Sequence, residues 1–157
     1  MSSLARVAIA LGSNLGHRHG HLSFARERLA RLLADFRMSS AFETDPVDVP
    51  GVQAPFLNAA AVGDTTLTPQ QFLHSLQEIE QAAGRERPFP GAARTLDLDL
   101  ILFGSLVVDE PRLTVPHPRF RERRFVLEPL AEIAPELRDP VTSLTVAELL
   151  TRLPPGR

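Results

Sequence analysis

Two aspartates stand two residues apart in an apolar run, "RTLDLDLILFG" at residues 94–104, with Arg94 three residues before the first. Side chains alternate faces along a strand, so Asp97 and Asp99 point the same way, roughly 7 Å apart at their α-carbons. Leu96, Leu98 and Leu100 point the other way. Two carboxylates so placed repel each other unless protonated, paired with cations or bridging metal. Oxygen ligands at this spacing suit one or two Mg²⁺ ions that also hold phosphate oxygens. The competing reading is a solvated polar face paired with surface arginines. The surroundings favour metal and phosphate. Eight arginines (Arg85, Arg87, Arg94, Arg112, Arg119, Arg121, Arg123, Arg124) face six acids across residues 85–124. Mg²⁺ and guanidinium together are the usual means of neutralising polyphosphate.

Other candidates are ambiguous by residue type alone. Phe56 and Asn58 share a strand face, an aromatic plate beside an amide with mixed donors and acceptor, which suits a flat heterocycle or an ordinary core edge. Gln77 and Glu80 lie three apart on a helix and share a side, for a nucleotide or for solvent. His117, held between two prolines in "VPHPR", is either a phosphate donor or structural. "GSNLG" at residues 12–16 joins a strand to a helix but lacks the lysine-threonine or lysine-serine ending of a phosphate loop. It reads as a tight turn with Ser13 or Asn14 capping the helix. No G-x-S-x-G motif supports serine hydrolysis, and no side chain stands out as a general base.

The elements that must position these residues follow from periodicity. A buried strand is expected at residues 4–11 and a helix at 17–35, with Leu22, Ala25, Leu29, Leu32 and Leu33 along one face. A strand at 36–44, a proline-rich loop and a strand at 56–62 come next. A second helix has Thr68 as cap, Pro69 in the first turn and Gln71 at capping-box spacing. Its stripe Phe72, Leu76, Ile79 and Ala83 stops at Gly84. A fourth strand spans 95–103. The tail then holds a short hairpin around 104–108, a proline-interrupted helix near 125–134 and a last helix capped by Thr145 with Glu148. The order is the split βαβ arrangement of ferredoxin-like α+β folds, with an antiparallel sheet and helices on one face.

Composition narrows the class. At 157 residues the chain is the size of one domain, and 43% hydrophobic with 23% charged residues is ordinary for a globular protein. A net charge of −2 gives no global pull toward nucleic acid or membrane. With no cysteine, any metal is held by oxygen or imidazole. All 17 basic residues are arginine, so anions are met by planar forks, although genome composition would produce the same bias. No run is long enough to span a bilayer and no export leader is evident, so a cytoplasmic protein is expected.

In this order, "ALGSNLG", "PFLNAA", "QEIEQAAGRER", "RTLDLDLILFG", "RLTVPHPR" and "RRFVLEPLAEIAPEL" resemble the 6-hydroxymethyl-7,8-dihydropterin pyrophosphokinase family of the folate pathway over nearly the whole chain. The resemblance implies a ferredoxin-like βαββαβ core in a three-layer α/β/α sandwich with C-terminal helical additions, working as a monomer. It also implies transfer of the β,γ-pyrophosphoryl group of ATP to the pterin hydroxymethyl oxygen, releasing AMP. Asp97 and Asp99 would hold two Mg²⁺ ions. Arg94, Arg112, Thr114, His117 and Arg123 would contact ATP, with Gln77, Glu80 and Leu100 on the nucleotide side and Arg85 and Arg87 as the cationic stem of a loop. Phe56 and Phe125 would sandwich the pterin, Asn58 would read its edge, and backbone near Thr44 and Val47 would complete the pocket. One departure falls at residues 88–93, "PFPGAA", where the family carries an arginine-tryptophan-glycine-proline run. Phe89 stands nearest the missing ring, and lid closure over ATP is the step this change touches.

Two further readings remain open on the residues alone. One is a non-catalytic ferredoxin-like ligand-binding module. The other is a different Mg²⁺-dependent phosphotransferase or nucleotidyltransferase using the same carboxylates.

Overall fold

The computed structural model describes residues 3–45, 55–84 and 95–155. Strand β1 (Ala5–Ser13) lies inside an antiparallel sheet, flanked by β4 (Phe56–Thr65) and β5 (Asp97–Phe103). Strands β2 (Ala34–Met38) and β3 (Phe42–Thr44) both pair with the outer edge of β4, giving the order β2-β4-β1-β5 with β3 beside β4. Helix α1 (Arg18–Leu32) follows β1, and α2 (Pro69–Ala82) joins β4 to β5, so the βαββαβ core is as expected.

Alternation along the strands divides the core in two. Val7, Ile9 and Leu11 of β1, with Leu57, Ala59 and Ala61 of β4 and Leu98, Leu100 and Phe103 of β5, pack under α1 and α2. Ala8, Ala60, Val62, Ile101 and Leu102 face the other way, under α3 (Arg124–Ile133) and α4 (Val146–Thr151). Helices therefore cover both faces, the α/β/α sandwich implied by the resemblance rather than the one-sided cover read from element order. Fully buried Phe72, Leu76 and Leu29 each contribute about 1.5–3 kcal/mol by leaving water.

The register of β5 on β1 shifts once. Ile9 pairs with Leu100 but Ala8 pairs with Leu102, leaving Ile101 as an extra residue, a β-bulge. The bulge resets the alternation, so Ile101 and the next residue, Leu102, both enter the α3 side. Phe103 returns to the α2 side, edge-on to Phe72 with ring centroids 6.3 Å apart.

The well-signalled ends hold. Thr68 and Gln71 form a reciprocal capping box at α2, and Thr145 and Glu148 form another at α4. Five expectations change. The strand expected at 36–44 is broken into β2 and β3 at Ser39, whose N–H donates to Ala60 O (2.8 Å) and whose Oγ accepts from Ala60 N (2.9 Å). That hydroxyl takes the place of a backbone partner, and β3 resumes in its own register. Helix α1 stops at Leu32 rather than Asp35, because Leu33 is extended and Asp35 sits at φ +49. Ser13 ends β1 opposite Leu57, and α1 instead has His17 as N-cap with no side-chain cap bond, so neither Ser13 nor Asn14 caps it. The hairpin is displaced: Gly104 (φ +54) closes β5, its N–H on Arg6 O, and the paired strands are β6 (Val108–Glu110) and β7 (Leu113–Val115). Helix α3 also runs through Pro129 without ending. Among the described residues no helix is long and apolar enough to cross a membrane.

Part of the arginine-rich segment is structural. Arg121 grips the fully buried side chain of Asp139 with two bonds (2.5 and 3.0 Å), and Thr142 Oγ1 and Val141 N–H add two more. Arg124 reaches Glu128 and Pro154 O, and Arg119 reaches Glu122. Burial works to raise the Asp139 pKa, but these donors outweigh it and hold the carboxyl at about 2, below its ordinary 3.8. A depressed carboxylate stabilises the fold above its unfolded pKa and loses that contribution as pH falls through the folded one. Asp139→Asn is therefore expected to cost about 2 kcal/mol at pH 7. Urea unfolding should show the gap from wild type closing between pH 4 and 2.

Candidate active site

Strand pairing fixes the site before any side chain is considered. Asp97 lies opposite Gly12, Gly12 opposite Asn58, and Asn58 opposite Phe42, a single row across β5, β1, β4 and β3. The next row on the same face is Asp99, Ala10 and Ala60. Neighbouring strands are roughly 4.8 Å apart, so the carboxylates of β5 stand about 10 Å from Asn58 on β4 with β1 between them. The intervening residues are small. A Cβ at Gly12 would meet Asn58 Oδ1 at 3.3 Å and the Phe56 ring at 3.8 Å, so glycine leaves that floor open beside the amide oxygen. Gly12 was not singled out for this role by sequence. The available signal was a glycine inside a strand, which often marks a close approach.

Asp97 and Asp99 are half-buried on the α3 face, while Leu96, Leu98 and Leu100 are buried on the opposite one, as alternation predicts. Glu80 of α2 is buried, and its Oε2 accepts the Leu98 N–H at 2.8 Å. That bond holds the backbone between the two aspartates from the edge of the sheet. Leu98 thus turns its N–H away from β1, and Leu100, two residues on, repeats that direction. Leu100's side chain itself belongs to the core. Gln77, one turn before Glu80, is exposed.

The pocket end is held by a short chain of bonds. Asn58, 6% exposed, donates from Nδ2 to Thr44 Oγ1 at 2.6 Å, which orients the amide. Thr44 pairs with Phe56, and both share the face of Asn58. Phe125, on the first turn of α3, is 40% exposed, with the Arg123 guanidinium 5.5 Å from its ring centroid.

The third component follows β7. The His117 N–H donates to the carbonyl of the bulged Ile101 (2.9 Å), which ties "VPHPR" to β5 two residues beyond Asp99. His117 Nδ1 accepts the Arg119 N–H at 3.1 Å, so a neutral ring carries its proton on Nε2. Burial, reinforced by the positive fields of Arg123 and Arg119 and opposed by Asp97, lowers the His117 pKa. The imidazole is therefore a neutral N–H donor at physiological pH. Arg112 in the β6–β7 turn and Thr114 on β7 are exposed to solvent. The sheet end thus gathers Asp97, Asp99, His117 and Arg123 beside Gly12, Asn58, Phe56 and Thr44. Arg85, Arg87, Phe89, Arg94 and Val47 lie outside the described residues.

These features define a class: a ferredoxin-like α/β/α fold with two acids on one strand and, two strands away on the same face, a buried and oriented amide. The family model for 7,8-dihydro-6-hydroxymethylpterin-pyrophosphokinase (HPPK) matches residues 8–135, and the chain belongs to that family. It is accordingly a pterin pyrophosphokinase of folate synthesis. The 2-amino-4-hydroxy-6-hydroxymethyldihydropteridine pyrophosphokinase of Pseudomonas aeruginosa is 42% identical over 139 residues, covering 87% of this chain and 85% of that one. The enzyme of the same name from Bacillus subtilis is 44% identical over 137 residues, covering 86% and 81%. Among solved structures, Plasmodium falciparum HPPK-DHPS wild type with pteroate superposes with a TM-score of 0.78 at 13% identity, over 97% of this chain. This chain spans 45% of that one, and the likeness speaks to the fold.

Glu80→Ala leaves the Leu98 N–H without its acceptor and is expected to cost about 1–3 kcal/mol in urea unfolding. Glu80→Gln, which keeps a carbonyl acceptor, should lose less than half of that.

Proposed function

We propose that the chain, as a single monomeric domain in the cytoplasm, transfers the β,γ-pyrophosphoryl group of ATP to the hydroxymethyl oxygen of 6-hydroxymethyl-7,8-dihydropterin. The observation that carries this reading is the pair of rows on one sheet face. Two carboxylates lie across one strand of glycine and alanine from a buried, oriented amide. That separation suits a phosphate chain at β5 and a flat heterocycle at β4.

Whether the residues fit a metal is a matter of donor chemistry. Among the described residues no group of three or more His, Cys, Asp and Glu side chains converges on one point. A small hard cation bound with a nucleotide needs no such cage, because one or two carboxylates suffice when phosphate oxygens and water complete its octahedron. Asp97 and Asp99, all-oxygen and on one face, fit Mg²⁺ in that sense and would hold up to two ions. When bound, the ions would neutralise phosphate charge and favour attack at phosphorus.

The chain's own side chains do the rest by positioning and charge. Asn58 Oδ1, on the Gly12 side, accepts from the pterin's N–H edge while Nδ2 stays on Thr44. Phe56 and Phe125 supply the ring contacts. His117 donates its Nε2 proton to a phosphate oxygen without adding a titrating charge, and Arg123 and Arg112 supply permanent positive charge. Gln77, Glu80, Leu100 and Thr114 would line the nucleotide side. Arg85, Arg87 and Arg94 would close on the phosphates, with backbone near Val47 completing the pterin pocket; all four lie outside the described residues. In the transfer the pterin hydroxyl oxygen forms a bond to the β-phosphorus, its proton passing to solvent, as the bond from that phosphorus to the α,β-bridging oxygen breaks. The electron pair leaves with AMP.

Asp97→Ala and Asp99→Ala are each expected to reduce turnover at least about 100-fold while the far-UV circular dichroism and melting profile stay near wild type. The assay is AMP and pterin diphosphate formation from ATP, Mg²⁺ and the hydroxymethyl dihydropterin. ADP or free pyrophosphate as product would indicate a different phosphotransferase, and no AMP at all would indicate a binding module.

A further inference from the structure

The residues that carry the acceptor pocket sit at the two ends of one connection. Thr44 is the last residue of β3 and Phe56 the first of β4, and they are cross-strand partners. Between them run residues 46–54, outside the described ones. One guanidinium spans the base of that connection. Arg18 Nη1 donates to Glu43 Oε1 at 2.8 Å and to Pro55 O at 2.7 Å. Glu43 immediately precedes Thr44, and Pro55 immediately precedes Phe56. Arg18 opens α1, and Glu43 faces opposite to Phe42 and Thr44 by alternation, so the clasp lies behind the pocket.

We propose that Arg18 is a positioning residue for the acceptor pocket. By drawing Glu43 and the Pro55 carbonyl to one nitrogen, it closes the Thr44–Phe56 pair and fixes the hydroxyl that orients Asn58. The inference rests on the pterin reading of that pocket. Arg18 touches no group assigned to the ligand, and it acts through the backbone of β3 and β4. The Arg18 side chain is 25% exposed and its bond to Pro55 is part-buried, so that arm of the clasp is less screened than a surface pair, while the Glu43 arm, on a side chain 58% exposed, is an ordinary one. Truncation of Arg18 removes this charge-assisted donor from the Pro55 carbonyl altogether.

The prediction is a split between the two substrates. Arg18→Ala should raise the KM for the hydroxymethyl dihydropterin about tenfold. The KM for ATP and kcat at saturating acceptor should stay within about twofold. Arg18→Lys, with a single charged donor on a similar stem, should recover part of the loss, and Glu43→Gln should give a smaller shift. Amide hydrogen exchange at Phe56 to Asn58, read by NMR without any substrate, should quicken about tenfold in Arg18→Ala. If the acceptor KM and that exchange both stay within twofold of wild type, the proposal is overturned. It is equally overturned if both substrates' KM values rise together with a fall in Tm. Should wild type form no pterin diphosphate, the functional reading fails on that arm alone, and the exchange measurement still decides whether Arg18 holds the hairpin.

Discussion

A sheet covered on both faces leaves little room for polar side chains, and this constraint governs the molecule. Helices α1 and α2 bury one face and α3 with α4 bury the other, so the central strands β1, β4 and β5 are apolar on both sides for most of their length. A polar residue placed there without a partner would cost several kcal/mol. Polar side chains accordingly gather at the sheet's ends: Asp97, Asp99 and Asn58 at one, and Asp64 and Asp35, both paired with Arg6, at the other. The half-buried state of Asp97, Asp99 and Phe56 follows from that geometry.

Within that constraint, the site is held from behind. Glu80 fixes β5 between its two aspartates, Arg18 ties β3 to β4, and Ser39 breaks the strand that would otherwise run past the pocket. From the α3 side, Glu132 accepts from both the N–H and the hydroxyl of Ser40 at 2.8 Å, which joins the same bend to the helix carrying Phe125. These bonds to Ser40 lower the Glu132 pKa.

The readable parts of the sequence were the local ones. Thr68 with Gln71 and Thr145 with Glu148 announce helix starts because both partners lie within one turn. The D-x-D facing was legible because period-two alternation needs no tertiary information. The break between β2 and β3 was not legible, since it depends on a serine hydroxyl replacing a ladder partner on a distant strand. The role of Ser13 was misread for a related reason: its pairing with Leu57 keeps it in β1, four residues before the helix cap at His17. The arginine cluster was legible as charge but not as function, because Asp139, Glu128 and Glu122 engage three of its members. Glu80 was visible as a helix residue near the nucleotide side. Its grip on Leu98 was not visible, because a contact between α2 and β5 has no local signature.

The extra residue in β5 separates two halves of one strand that obey different demands. Upstream, odd-numbered positions look toward α3 and carry the acids. Downstream, even-numbered positions do, and Phe103 is thereby delivered to Phe72. The two halves are phased independently, so the hydrophobic anchor at the far end is insulated from the chemistry at the near end. Evolution could remove the extra residue at Ile101 only by exchanging one for the other: a strand without the bulge would keep its carboxylates and turn the Phe103 ring away from Phe72 to the α3 side, or keep the ring and turn its acids into oil.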